Sequence, residues 1–502
     1  MSVVLICLQL LEEPANLSGD LIMPNNCGIT AIGNLKSTNL TGVKIPDGVT
    51  NIYSSSFREC INLMNIIIPD SVINIEDTAF QDCVNLTNVI IGNGVTNIGI
   101  NAFQDCSSLT SVKIPNSVTS IGNGAFSGCT GLTSVVVGNN LASVDGNAFS
   151  RCTNIEAVYY EGALKDWCSI SFADLYSNPC SNGADLYIKR ELVDDIVIPN
   201  NISKINDYTF YGCVGLTSVK ISNNTTIVGK SAFEKCSNLA EVEISDSVTT
   251  IGDSVFRGCA NLASIKLPNG IINIGDSAFS GCASFTRIEI PNSVTDMGDN
   301  VFSGCTNLTD VIINDNATSI NRGMFSGCTS LVSADIPDSV TSIGYSAFSG
   351  CTSLTNIMIP DGVTSIGDSA FSGCTSLTSI EIPNGVTVIE KMTFDGCTSL
   401  TDVKIPNSVG YIHAQAFYRC TSLVNIELPN KIKHIDASAF RSCNSLTSVT
   451  INTVSPPYIL SSIFMDCDNL TAIYVPAESV DSYKSNIYWD QYDDLIQAIP
   501  TT

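Results

Sequence analysis

Seventeen of the 21 cysteines recur at a fixed spacing, and thiols are the side chains here with the widest possible chemistry. The period is 23 residues from Cys60 to Cys152 and from Cys213 to Cys443, and Cys467 follows after 24. Disulfides or metal ligands are the functional alternatives. Stacked identical side chains point the same way rather than converging, and no C-x-x-C zinc spacing occurs. A Phe lies three residues before each of these cysteines, so we predict inert thiols in an apolar core.

The other residues that could do chemistry are few. Cys168 and Cys180 lie in a stretch that breaks the period and are the one pair for which a disulfide is a reasonable alternative to free thiols. His413 falls at a turn position and His434 precedes an apolar residue, so we predict that both are solvated surface residues. A catalytic centre needs unlike residues that converge, whereas this chain repeats the same ones. We therefore predict no enzyme activity, no cofactor and no metal; the IPDG and IGDS stretches lack the carboxylate spacing of a calcium loop.

The elements that position these residues are copies of one unit, of which Leu354–Cys374 (LTNIMIPDGVTSIGDSAFSGC) is typical. Its first segment is a short strand with Leu354, Ile357 and Ile359 facing inward, and it ends at Pro360, which has no N–H to donate. Val363 and Ile366 then form a second inward stretch. A turn at Gly367 follows, where Gly, Asn or Asp would suit a positive φ. SAFSGC is interpreted as one helical turn that buries Phe371 and Cys374.

Repeats of this length predict a solenoid, because one unit cannot bury its apolar face alone. We expect a predominantly β leucine-rich-repeat arc, with a parallel sheet on one face and short helical turns on the other. The predicted divisions are a degenerate N-terminal repeat or cap (1–38), regular repeats (39–158), an enlarged repeat or insertion (159–198), regular repeats (199–469) and a C-terminal cap (470–502).

The amino-acid composition restricts the classes of partner that we expect this chain to bind. Charged residues make up 14% of the 502 residues, and the net charge is −25. This balance argues against nucleic acid and against anionic membranes, and no apolar run is long enough for a membrane span. Met1–Leu11 has the apolar core of a signal peptide but lacks a basic start and a cleavage site, so a signal and an N-terminal strand or cap both remain open.

The repeat L-x-x-I-x-I-P-x-x-V-x-x-I-G-x-x-A-F-x-x-C resembles the leucine-rich repeats of the Bacteroides surface protein A (BspA) type over nearly the whole chain. The segment 157–195 is similar to an insertion found in many such arrays, and 473–500 resembles a terminal segment of gut-bacterial members. The resemblance implies a surface or secreted protein that adheres to host matrix proteins, host cells or other microbes; a cytoplasmic location stays open.

The outward positions of the strands are the most informative about function, because packing does not dictate them. In the second regular block the fifth strand residue alternates in charge, as in Glu381 and Lys404, which predicts a solubilising ladder of ion pairs. In the first block it forms an apolar stripe where solvent is expected. With the start of the insertion, this gives our predicted partner-binding surface: Ile67, Ile90, Lys113, Val136, Tyr159 and Trp167. The alternative is that the insertion folds back and buries the stripe.

The sequence therefore predicts a non-catalytic protein-binding or adhesion protein, with host matrix or cell-surface proteins as the expected partners. A structural spacer without a specific ligand is the alternative. The insertion is interpreted more readily as an enlarged repeat than as a recognition loop. The aromatic residues near the C-terminus are expected to cover the last open core, as solenoid ends require.

Overall fold

A computed structural model describes residues 18–23, 25, 28–35 and 37–500, so the segment Met1–Leu11 lies outside the described residues. The chain divides into two compact units, the first ending at Val248 and the second beginning at Thr249. Each unit is a solenoid of stacked repeats with little helix, which confirms the predicted fold class.

The first strand of each repeat contributes to what we call the front ladder. Within it, neighbouring strands pair in parallel and in register, as in Ile67 beside Ile90 and Glu381 beside Lys404; the short strand Glu191–Leu192 instead pairs antiparallel with Asp185–Ile188. In the first unit its strands are Gly19–Ile22, Leu40–Lys44, Asn65–Ile67, Asn88–Ile90, Ser111–Ile114, Ser134–Val137, Ala157–Tyr160, Asp185–Ile188, Glu191–Leu192, Asp195–Val197, Ser218–Lys220 and Glu241–Glu243. In the second unit they are Arg287–Glu289, Asp310–Ile312, Ser379–Glu381, Asp402–Lys404, Asn425–Leu428, Ser448–Ile451, Ala472–Val475 and Ile496–Ala498.

A second, two-residue strand forms the side ladder, where a Val or Ile usually faces the core and Phe172 and Met297 take that position in two repeats. In the first unit these strands are Ala31–Ile32, Asn51–Ile52, Asn74–Ile75, Asn97–Ile98, Ser120–Ile121, Ser143–Val144, Ser171–Phe172, Lys204–Ile205 and Ile227–Val228. In the second they are Thr250–Ile251, Asn273–Ile274, Asp296–Met297, Ser319–Ile320, Ser342–Ile343, Ser365–Ile366, Val388–Ile389, Tyr411–Ile412, His434–Ile435 and Tyr458–Ile459.

The segment that carries Phe and Cys forms consecutive tight turns rather than the helical turn expected from SAFSGC. Its left-handed residues are Ser369 (φ 56°) and Gly373 (φ 74°), and a helix does not tolerate them. The prediction of a positive φ at Gly367 was wrong. Glycine is needed there because a Cβ would lie 2.7 Å from the backbone N of Tyr345 in the preceding repeat.

The core is built from like residues stacked on like residues. Successive Phe rings lie face to face, with centroids 5.0 Å apart for Phe57 and Phe80 and 5.5 Å for Phe348 and Phe371. Every ladder cysteine from Cys60 to Cys467 is buried in the apolar core, as predicted. Many of these thiols donate a hydrogen bond to a Phe carbonyl in the preceding repeat, as Cys374 Sγ does to Phe348 O at 3.2 Å. Burial raises the pKa of Cys351 to about 12, so this thiol is unreactive at neutral pH.

The insertion forms one enlarged repeat of the first unit. Strands Ala157–Tyr160 and Asp185–Ile188 pair in parallel, and between them lie the helix Leu164–Trp167 and the side-ladder strand Ser171–Phe172. Asn178 fastens the segment, since its Nδ2 donates to Tyr208 O at 2.8 Å. Cys168 and Cys180 are both free, so the disulfide alternative was wrong.

The C-terminal segment folds into the helices Ala477–Ser479 (3-10), Val480–Lys484 (α) and Asp490–Leu495 (3-10). Tyr483 and Trp489 are fully buried. Their polar atoms donate to backbone carbonyls, Tyr483 Oη to Thr453 O at 3.0 Å and Trp489 Nε1 to Pro457 O at 2.8 Å. In the described part of the chain, no helix has the length and apolar character that crossing a membrane requires.

Candidate functional site

The apolar stripe of the first unit lies on the outward face of the front ladder. Ile67 and Ile90 are register partners and their side chains are 49% and 50% exposed. The next three strands carry Lys113, Val136 and Tyr159, which are register partners of one another. Lys113 is exposed and the other two are half-buried. The enlarged repeat therefore leaves Ile67 and Ile90 open to solvent instead of covering them.

Tyr187 extends the stripe by one further strand. It pairs with Tyr159, and the two rings stack with their centroids 4.9 Å apart. Alternation fixes this orientation, because Val158 and Tyr160 on one strand and Leu186 on the other point into the core. The sequence prediction missed Tyr187, although the alternating run Asp185–Ile188 inside the insertion is a signal for a strand.

Trp167 does not belong to this surface, which corrects the prediction. Its side chain is fully buried, in ring contact with Tyr160 (5.3 Å) and Phe172 (5.5 Å). The indole Nε1 donates to Thr209 O at 2.9 Å. A buried indole needs such an acceptor, and Trp167 therefore holds the enlarged repeat against the repeat that follows it.

An open groove of about 640 Å³ lies at the enlarged-repeat end of the stripe. Tyr160 contributes to its wall, and burial raises the pKa of this tyrosine to about 12. The phenol donates to Asn139 O at 3.2 Å, which anchors it as a structural residue. The residues that line the groove are Lys113, Val136, Tyr159, Tyr160, Glu161, Lys189 and Arg190.

A hairpin brings two of the basic residues to the groove. Strands Asp185–Ile188 and Glu191–Leu192 pair antiparallel, which leaves Lys189 and Arg190 as a two-residue loop. Their φ angles are 52° and 73°, the signs of a type I′ turn, in which Asn-Gly is the usual sequence. The sequence gives no such turn signal, and this is why the hairpin and its basic residues escaped prediction.

The groove is predominantly cationic. Lys113 Nζ lies 3.0 Å from Glu161 Oε1, so one of its three basic groups is paired. Outside the groove, Lys165 pairs with Asp166. A hydrogen bond from Lys165 is the largest cause that holds the pKa of the Asp166 carboxyl below its ordinary value, and the charge of Lys189 adds a smaller effect.

The second unit presents charge at several of the corresponding positions, although Ile312 and Met358 there are apolar and exposed. Lys404 Nζ lies 3.3 Å from Glu381 Oε2, as the alternating ladder predicts. The same pairing occurs near the end of the first unit, where Lys220 Nζ lies 2.7 Å from Glu243 Oε1. All four side chains are more than half exposed. Each pair therefore contributes about 0–1 kcal/mol to the free energy of unfolding.

The two histidines have more partners than the prediction of solvated residues allowed. His413 Nδ1 lies 2.8 Å from Asp436 Oδ2, and the side chain is partly exposed. The ring of His434 stacks on Tyr411 with a centroid separation of 4.9 Å. Within the described ranges no group of three or more His, Cys, Asp or Glu side chains has an arrangement that could hold a metal ion.

Comparison with known proteins agrees with the repeat architecture. A family model described as "BspA type Leucine rich repeat region" matches residues 33–156, 184–309, 295–409 and 364–493. No curated protein sequence matches the chain.

Among solved structures, a leucine-rich repeat protein from Bacteroides ovatus is 28% identical, with a TM-score of 0.50, and the alignment covers 81% of this chain and 88% of that one. A leucine rich cell surface protein from Faecalibacterium prausnitzii is 24% identical, with a TM-score of 0.40, over 72% of this chain and 87% of that one.

Proposed function

Because the chain belongs to the BspA-type leucine-rich repeat family, we propose that it is a non-catalytic binding protein that adheres to protein partners through the front ladder of its first unit. Members of this family are typically surface or secreted proteins, and leucine-rich repeat proteins are generally non-catalytic. A surface or secreted location and a partner among host matrix or microbial surface proteins form part of the proposal.

The observation that carries the proposal is the exposed register pair Ile67 and Ile90, which is followed on later strands of the front ladder by the register pair Val136 and Tyr159. Large apolar side chains on a solvent-facing sheet contribute nothing to the core, and such patches commonly mark partner surfaces. Aromatic residues at one end of the patch add contact area for a partner, and ordering their side chains costs little entropy.

The test is a binding assay with purified host extracellular-matrix proteins, comparing the wild type with Ile67→Ser/Ile90→Ser. We expect at least a tenfold loss of affinity, about 1.4 kcal/mol, because both substitutions remove apolar area without touching the core. The matched control is Glu381→Gln/Lys404→Gln, which changes the same ladder position in the second unit. Equal binding by all three proteins would contradict the proposed surface, and no binding by any of them would favour a spacer.

A further inference from the structure

We infer that the groove beside the enlarged repeat binds a carboxylate-bearing segment of a protein partner, with Lys113, Lys189 and Arg190 as the cationic contacts. The inference rests on the proposed function and deepens it, since this groove adjoins the apolar stripe. It gives the hairpin residues Lys189 and Arg190 a role in binding carboxylates. The resemblance to known repeats implies no role for them.

The groove has a net positive charge, whereas the chain as a whole is strongly negative. The sequence has 48 acidic and 23 basic residues, yet the groove is lined by three basic side chains and one acidic one. Glu161 pairs with Lys113. Among the described residues, no carboxylate forms an ion pair with Lys189 or Arg190, and both side chains are exposed. A site with a net positive charge in an otherwise acidic protein favours acidic groups on a partner.

The backbone of the hairpin fixes where these two side chains lie. Left-handed φ angles disfavour residues other than Gly, Asn and Asp, and yet Lys189 (52°) and Arg190 (73°) occupy both loop positions. The backbone is held there by pairing, since Lys189 N donates to Tyr160 O at 3.0 Å. The hairpin therefore holds both residues where their side chains extend the groove.

The neighbouring apolar residues favour a polypeptide over an acidic glycan. Ile90 lies on the strand before the one that carries Lys113, and Val136 and Tyr159 follow. An extended segment places side chains on one side about 6.8 Å apart, so a few residues reach from the stripe into the groove. A polypeptide supplies apolar side chains and carboxylates together, whereas a sulfated glycan leaves the isoleucines uncovered.

The probe is a random copolymer of glutamate and tyrosine, which presents carboxylates beside large apolar side chains in every order. Binding is measured by interferometry on the full chain, at about 50 mM and 200 mM salt, with chondroitin sulfate as the glycan arm. We expect the copolymer to bind, to weaken at the higher salt because the contacts are charged, and to lose at least tenfold in affinity with Lys189→Gln/Arg190→Gln. The control Lys404→Gln lies on the second unit and should leave binding unchanged.

A second variant separates loss of charge from loss of fold. Lys189→Asn/Arg190→Gly installs the residues that a type I′ turn favours, so we expect an unchanged or higher Tm together with the same loss of binding. The inference is overturned by copolymer binding that is absent or insensitive to both hairpin variants, or by chondroitin sulfate binding that depends on the same residues. If the hairpin variants retain binding to matrix proteins while Ile67→Ser/Ile90→Ser loses it, the proposed function stands and this inference alone fails.

Discussion

The front ladders of the two units place different side chains over the same kind of core. In both units Phe, Cys and Ile stack on their counterparts, and the turns share their left-handed positions. On the outward face, the first unit presents Ile67 and Ile90, while the second presents the ion pair of Glu381 and Lys404. Since the core does not dictate the outward residues, stability and recognition are encoded at separate positions of each repeat.

The shared core predicts that alkaline pH lowers the stability of both units. Burial raises the pKa of the ladder cysteine Cys83 in the first unit well above the 9.0 of an unperturbed thiol, and that of Cys351 in the second unit to about 12. Above pH 9 the unfolded chain loses thiol protons that the folded chain keeps. Stability therefore falls as the pH rises from 9 towards 12, by about 1.4 kcal/mol per pH unit for each such thiol. Many buried thiols make this the largest expected effect.

Each unit contains one of the two tryptophans, which gives each its own fluorescence signal. Trp489→Phe leaves Trp167 to report on the first unit, and Trp167→Phe leaves Trp489 to report on the second. Urea titrations at pH 8, 9 and 10 should show midpoints that fall in both variants. A urea midpoint that falls in one unit and stays constant in the other would show that the two cores are not equivalent.

Removal of one stacked ring should be equally damaging in either unit. Phe103 and Phe348 are fully buried, and each lies between two rings of adjacent repeats at 5.0–5.5 Å. Phe103→Ala and Phe348→Ala should each reduce the free energy of unfolding by about 3–5 kcal/mol, because a cavity replaces the ring. Urea unfolding followed by fluorescence measures the loss. Costs that differ by more than about 2 kcal/mol would show that the cores are not equivalent.

The turns offer a smaller test in the second unit. Gly350 has a φ of +73°, and a Cβ there would meet only ordinary contacts, 3.7 Å from Gly327. Gly350→Ala should therefore cost about 1–2 kcal/mol through backbone strain alone. The matched control Gly410→Ala should be neutral or slightly stabilising, since Gly410 has no positive φ and a Cβ there would lie 3.6 Å from Lys431 O. Equal effects of the two substitutions on Tm would refute the assignment of strain.

The sequence predicted the regular repeats well because stacking places each residue on its own counterpart. Phe371, Cys374 and Ile366 are buried as the 23-residue period requires. Prediction failed where the period is interrupted. Nothing in the local sequence shows that Trp167 donates to Thr209 O, 42 residues away, and the loop of Lys189 and Arg190 lacks turn residues. The prediction for Gly367 was wrong because glycine is needed there for the close approach of the preceding repeat's backbone, and not for a positive φ.

The central claim is that partners bind the first unit's front ladder and not the second's. The most direct test is photo-crosslinking from a photoreactive amino acid placed at Ile90 or, as the control, at Met358, an apolar residue at the same repeat position that is 79% exposed. Irradiation with purified host extracellular-matrix proteins should give adducts from position 90 and only background from position 358. Equal yields, a higher yield from position 358, or no adduct from either position would contradict the account.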